Sequence, residues 1–202
     1  MPRNPNCTKC PLHEQGCKTI CLWGSGHIPA KMMFIGEAPG FVEDHTGIPF
    51  TGPAGKLKDI ILDSLGIRSN SIYITNCFKC RPYDNKLPGK RDKEAWFQEC
   101  SPYLMEEIHN VRPKVIVLLG STPLSLLVHL QPISKYEGMQ VFNIPDVKAK
   151  VFAAFHPAYI LRAPSKEARL AAAIATAANA ANIEVNSKQW EERRMFNYEI
   201  RA

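Results

Sequence analysis

Four short apolar runs constrain this chain more than any other feature, and each runs up to a glycine or a polar residue. They are Lys31-Met32-Met33-Phe34-Ile35-Gly36, Ile72-Tyr73-Ile74-Thr75, Val115-Ile116-Val117-Leu118-Leu119 and Val151-Phe152-Ala153-Ala154-Phe155. Short runs without apolar–polar alternation read as strands buried on both faces. Helical patterns lie between them. Leu57, Ile60, Ile61 and Leu65 fall at helical spacing, and Gly66 ends that run. Residues 77–93 are basic and irregular, and a helical stretch follows to about His109. Thr122-Pro123 offers a capping hydroxyl and then proline at the first helical position. The alanine-rich run from about Ser165 to Asn182 reads as a helix with Ser165 as its cap. Strands alternating with helices predict a three-layer α/β/α fold around a central, mainly parallel four-stranded sheet. No repeat or low-complexity linker divides the 202 residues, so a single domain over 1–202 is expected. Residues 1–30 form an irregular segment at its start and 183–202 a charged tail.

In open α/β sheets, ligands bind beyond the carboxyl ends of the strands. The residues just past the four runs are Gly36-Glu37-Ala38-Pro39-Gly40, Asn76, Gly120-Ser121 and His156-Pro157. A carboxylate, an amide, a glycine turn and an imidazole therefore converge on one edge of the sheet. Such a set can bind a polar planar ring and assist a bond cleavage, although each member alone is as well explained as a helix cap.

The formal net charge is +6, which suits an anionic partner such as nucleic acid without requiring one. No apolar run approaches the ~18–20 residues that span a bilayer, and the first residues, Met1 to Cys7, contain no apolar signal-peptide core. A cytoplasmic, nucleoid-associated location and no membrane partner are expected. Seven cysteines is an odd number, which argues against a fully paired disulfide framework. Clustered cysteines in a reducing compartment bind metal or stay as buried thiols.

The stretch from Gly36-Glu37-Ala38-Pro39-Gly40 through Gly47-Ile48-Pro49-Phe50-Thr51-Gly52-Pro53-Ala54-Gly55-Lys56-Leu57 is more specific than a glycine loop. It closely resembles the first motif of the family-4 (iron–sulfur) uracil-DNA glycosylases. Three further segments agree in order and spacing. They are Thr75-Asn76 with Lys79-Cys80-Arg81-Pro82, then Pro113 to Gly120, and finally His156-Pro157-Ala158-Tyr159-Ile160-Leu161-Arg162. The resemblance runs from about Cys7 to Arg162.

That resemblance implies a uracil-DNA glycosylase that flips uracil out of single- or double-stranded DNA and hydrolyses its N-glycosidic bond, acting as a monomer. It puts Glu37 beside the sugar, to favour positive charge there and position water, and His156 at uracil O2, to stabilise the developing oxyanion. Asn76 would read the O4/N3 edge of the base, with a donor and an acceptor on one amide. Phe50 would stack on the ring, the backbone of Ala38 and Pro39 would line the pocket, and Glu43 would exclude the methyl group of thymine. The bland readings are a capping or core histidine, a turn asparagine and a packed phenylalanine. Basic residues flanking the motifs would meet phosphates: Lys79, Arg81, Lys86, Lys90 and Arg91, and then Arg162, Lys166 and Arg169. Tyr159, Ile160 and Leu161 would enter the minor groove.

By the same resemblance Cys7, Cys10, Cys80 and Cys100 ligate a [4Fe-4S] cluster, tying the first 30 residues to the 77–100 loop. Spacing leaves an alternative open, because Cys7-x-x-Cys10 with Cys77-x-x-Cys80 also forms two C-x-x-C pairs fit for zinc. Cys17 and Cys21 make a further pair. Gly89-Lys90-Arg91 is similar to a loop of a related branch that traps DNA covalently through a histidine, but Asp92-Lys93-Glu94 follows here and no histidine. Two other functions compete: a non-catalytic iron–sulfur DNA-binding accessory protein, and a zinc-stabilised nucleotide-binding protein.

Overall fold

The computed structural model describes residues 4–186 and 188–191. The four predicted runs form parallel strands: β2 (Met32–Gly36), β3 (Ile72–Asn76), β4 (Val115–Leu119) and β6 (Lys150–Ala154). Two edge strands complete the sheet, β1 (Ser25–Gly26) beside β3 and β5 (Gln140–Val141) beside β6, both antiparallel. The sheet therefore has six strands in the order β1-β3-β2-β4-β6-β5, not the four expected. Each edge strand is two residues long and lies open to solvent on one side, so neither carries an apolar pattern to read.

Helices cover both faces, giving the expected three layers. Alternate strand residues divide between two cores, as the period of two requires. Met33, Ile35, Ile116 and Leu118 pack with Leu104, Ile108 and Val111 of α3 (Lys90–Val111) and with Leu124 and Leu127 of α4 (Ser121–Val128). Met32, Phe34, Val115 and Val117 pack with Ile61 and Leu62 of α2 (Pro53–Ser64) and with α7 (Glu167–Ala180). On α7 the alanines 171, 173, 177 and 178 are almost fully buried, so the helix axis lies close to the sheet. Short helices α1 (Phe41–Thr46), α5 (Ile133–Tyr136) and α6 (Pro157–Arg162) fill the connections.

Three helix starts differ from expectation. Ser165 does not cap α7; it lies inside a 3-10 turn, Pro164–Lys166, because Pro164 opens that turn first. Thr122 does not cap α4, whose flanking residue is Gly120. Helix α3 starts at Lys90, inside the stretch read as irregular. No helix among the described residues is long and apolar enough to cross a membrane.

The register sets the level of the strand ends. Gly36 pairs with Asn76 and Leu119 with Ala154, so the residues that follow emerge together. After β2 the chain moves to β3 on one side and later to β4 on the other. That reversal opens a crevice at the carboxyl edge.

Candidate active site

A cavity of about 450 Å³ fills this crevice, and its walls include Glu37, Ala38, Pro39, Phe50, Asn76 and His156. All six were expected there. Asn76 is buried, and its Oδ1 has no hydrogen-bond partner. A buried amide oxygen left unpaired costs about 1–3 kcal/mol, which a ligand N–H would relieve. Gly36 makes this arrangement feasible: a Cβ there would lie 2.5 Å from Asn76 Oδ1 and 2.6 Å from Phe50 Cζ.

Phe50 takes a left-handed backbone (φ 57°), unfavourable for a bulky residue. The chain accommodates it through Gly55, where a Cβ would overlap the Phe50 carbonyl. Glu43 clasps the same loop, accepting from Gly40 N at 3.1 Å and Gly52 N at 2.8 Å. Both its oxygens serve backbone, so its carboxylate is a fixed wall of the cavity and not a free acid. The Phe50 ring faces His156, with centroids 5.7 Å apart and planes at 32°, and both line the cavity with Asn76.

His156 stands at the start of α6, where its Nδ1 accepts from Ala158 N at 3.1 Å. The capping reading is therefore correct, and it has a chemical consequence. With Nδ1 accepting, a neutral ring carries its proton on Nε2. Burial first, and the nearby Arg162 guanidinium second, lower the pKa to about 4, so the ring is a neutral donor at physiological pH. Glu37 accepts a hydrogen bond through Oε2 from the hydroxyl of Thr122.

The basic residues divide. Arg162 is exposed on the cavity rim. Arg81 lies over the Phe41 ring at 5.1 Å and donates from Nε to Asn85 Oδ1 at 2.7 Å. Lys90 and Arg91 are exposed in the first turn of α3, with Lys90 4.0 Å from Glu94. Lys86 pairs with Asp84 at 2.5 Å, and Lys166 is half-buried. Lys79 corrects an expectation. It is buried, bonds Thr75 Oγ1 at 2.7 Å and forms an ion pair with the equally buried Glu107, so it is not available to a phosphate. Arg169 is exposed, and it pairs with Glu137 at 2.6 Å and lies over the face of Phe155 at 5.4 Å. Ile160 is a core residue, 1% exposed, whereas Tyr159 and Leu161 are exposed. Tyr159 lines the rim, leaning on Phe155 at 5.0 Å.

Cys7, Cys10, Cys80 and Cys100 line a second, small cavity, together with Cys21 and Lys79. They come from the N-terminal segment, the turn after β3 and α3. The Cys10 and Cys100 side chains share a hydrogen bond, which lowers the Cys10 pKa and raises that of Cys100. Cys21 N donates to Cys80 Sγ at 3.3 Å, and the Tyr103 hydroxyl donates to Cys7 Sγ at 3.5 Å. Cys77 does not line that cavity and is fully buried, which pushes its thiol pKa up strongly. The two C-x-x-C pairs are thus not presented together. Among the described residues no three His, Cys, Asp or Glu side chains are grouped to hold one metal ion.

Sequence reasoning missed Thr122, Glu107, Tyr103 and the placement of Cys21. Thr122 carried a signal, a hydroxyl just past a strand end, but it was read as a helix cap. Glu107 is one acid among several on a long helix, with nothing local to single it out.

Comparison with known proteins follows the same lines. Residues 23–180 match the model of the uracil DNA glycosylase superfamily. The type-4 uracil-DNA glycosylase of Thermotoga maritima is 39% identical over 169 residues, covering 83% of this chain and 84% of that protein. The type-4 enzyme of Archaeoglobus fulgidus is 39% identical over 166 residues, covering 79% and 80%. The type-5 uracil-DNA glycosylase of Pyrobaculum aerophilum is more distant, 27% identical over 183 residues, covering 75% and 78%.

Proposed function

The chain belongs to the uracil-DNA glycosylase superfamily, and from that premise we infer that it hydrolyses the N-glycosidic bond of uracil in DNA, the first step of base excision repair. The unpaired Oδ1 of buried Asn76 is the observation that carries this reading furthest. Uracil offers an N3–H to that oxygen and an O4 to the amide N–H. Cytosine offers the reverse pattern and would leave both groups opposed. Phe50 supplies the stacking face, Ala38 and Pro39 the backbone wall, and Glu43 a fixed barrier towards the C5 side of the ring.

Bond cleavage sends the glycosidic electron pair into the base and leaves an electron-poor C1′. Neutral His156, donating from Nε2, stabilises negative charge developing at O2. It is a neutral donor on a partly enclosed, low-dielectric wall, where such a bond counts most. Glu37 stabilises the cationic sugar and orients the water that adds to C1′. The products are free uracil and an abasic site, with the water's protons shared between them. Arg162, Arg81, Lys90 and Arg91 are accessible to phosphates, and Tyr159 with Leu161 can fill the space the flipped nucleotide leaves. We further propose that a single domain over 1–202 acts as a monomer on nucleoid-associated DNA in the cytoplasm.

We assign the second cavity to a [4Fe-4S] cluster held by Cys7, Cys10, Cys80 and Cys100. The fit rests on these four thiols from three chain segments facing one space, with Cys21 beside them and N–H and O–H donors already directed at two of the sulfurs. Bound there, the cluster would supply metal–thiolate cross-links and take no part in the hydrolysis.

The test is cleavage of uracil-containing single- and double-stranded oligonucleotides, read as alkali-labile abasic sites, with thymine and cytosine controls. The protein should cut at uracil alone, and His156→Ala should lower the rate by about 10²–10³, the usual effect of losing one oxyanion donor. A folded protein that binds these DNAs without cutting them would instead be the accessory module.

A further inference from the structure

We propose that Thr122 is a positioning residue for Glu37, and that hydrolysis depends on its hydroxyl; the proposal rests on the glycosidase reading above. Glu37 follows β2, and Thr122 is the second residue of α4, after β4. The hydrogen bond from Thr122 Oγ1 to Glu37 Oε2 thus crosses the crevice between the two strands that flank the switch point. Among the described residues, no other hydrogen bond or ion pair reaches the Glu37 carboxylate. A glutamate has three side-chain torsions, and an unanchored one spreads over several rotamers.

Thr122 is built for this link. It is 6% exposed and lines the main cavity. Its hydroxyl is not spent on capping: α4 begins after Gly120 and has no side-chain cap. Gly120 takes a left-handed backbone (φ 91°), and a Cβ there would lie 3.1 Å from His156 Cβ. The same tight turn therefore lets His156 approach and delivers Thr122 to Glu37. With Oε2 taken by the hydroxyl, Oε1 is left for the sugar or the attacking water. The bond is charge-assisted, and such bonds hold geometry better than neutral ones.

The test compares Thr122→Val, Thr122→Ala and Thr122→Ser in single-turnover and steady-state assays on uracil-containing DNA, with thermal melting as the check of folding. The wild-type protein run alongside separates the two readings: if it does not cut uracil DNA, the underlying reading fails. If it does cut, Thr122→Val should lower kcat about 10- to 100-fold with KM little changed, the range for one hydrogen bond to a charged group. Thr122→Ala should behave alike, which keeps the test alive if valine disturbs the fold, and Thr122→Ser should restore most of the rate. In a Glu37→Gln background the valine substitution should add little, because its effect runs through that carboxylate. Wild-type kcat in a folded Thr122→Val or Thr122→Ala protein, or full additivity with Glu37→Gln, would overturn the proposal.

Discussion

His156, half-buried on the cavity wall, shows how one side chain couples folding to pH. Its pKa is about 4 in the folded chain against an ordinary 6.5. Above pH 6.5 both folded and unfolded chains carry a neutral ring, and the folded state keeps its full advantage. As pH falls from 6.5 towards 4, only the unfolded chain takes up the proton, so stability drops. The loss levels off below about pH 4 and totals about 3 kcal/mol. Denaturation curves at stepped pH should show this decline, and His156→Gln should flatten it. The catalytic counterpart is that kcat should show no fall near pH 6.5 from this group. An acid limb at that pH abolished by His156→Gln would contradict the neutral-donor role.

At the scale of elements, the buried Lys79–Glu107 pair joins three pieces of the chain. Glu107, on α3, also accepts from Thr75 Oγ1 at 2.6 Å on β3 and from Gly24 N at 2.5 Å before β1. The next residue along β3 is Asn76, and Lys79 also lines the cysteine cavity. Removing one partner strands a charge in the core, so Glu107→Ala should cost about 3–5 kcal/mol. The double change Lys79→Met with Glu107→Leu should cost much less, because no charge is left unpaired. Urea denaturation of the three proteins checks this. Equal losses in single and double variants would mean the pair acts through packing alone.

For the molecule as a whole, the cysteine cavity pins a segment with little regular structure to the sheet and α3. With the proposed cluster bound, wild-type protein should purify brown with iron and sulfide, and Cys80→Ala should lack both and become sensitive to protease in residues 4–22. Cys77→Ala should leave the iron content unchanged from wild type, since Cys77 is buried and does not line that cavity. Iron lost in Cys77→Ala and kept in Cys80→Ala would favour a different ligand set.

The sequence alone determined the four parallel strands, because a strand buried on both faces must be apolar throughout. It also placed Glu37, Asn76 and His156 at one edge, because parallel strands end on the same side and the residue after each run is local information. Phe50, Ala38 and Pro39 became legible through motif resemblance. Only the tertiary structure decided the rest. The two-residue edge strands are set by the neighbours they pair with, not by their own side chains. Lys79 reads as a surface cation until Glu107, 28 residues away, buries beside it. Thr122 reads as a cap until the turn at Gly120 brings it to Glu37, 85 residues earlier. The remaining tail, 192–202, lies outside the described residues. Charge pairing and hydrogen bonding depend on which groups meet in space, and a pattern of local periods does not encode that.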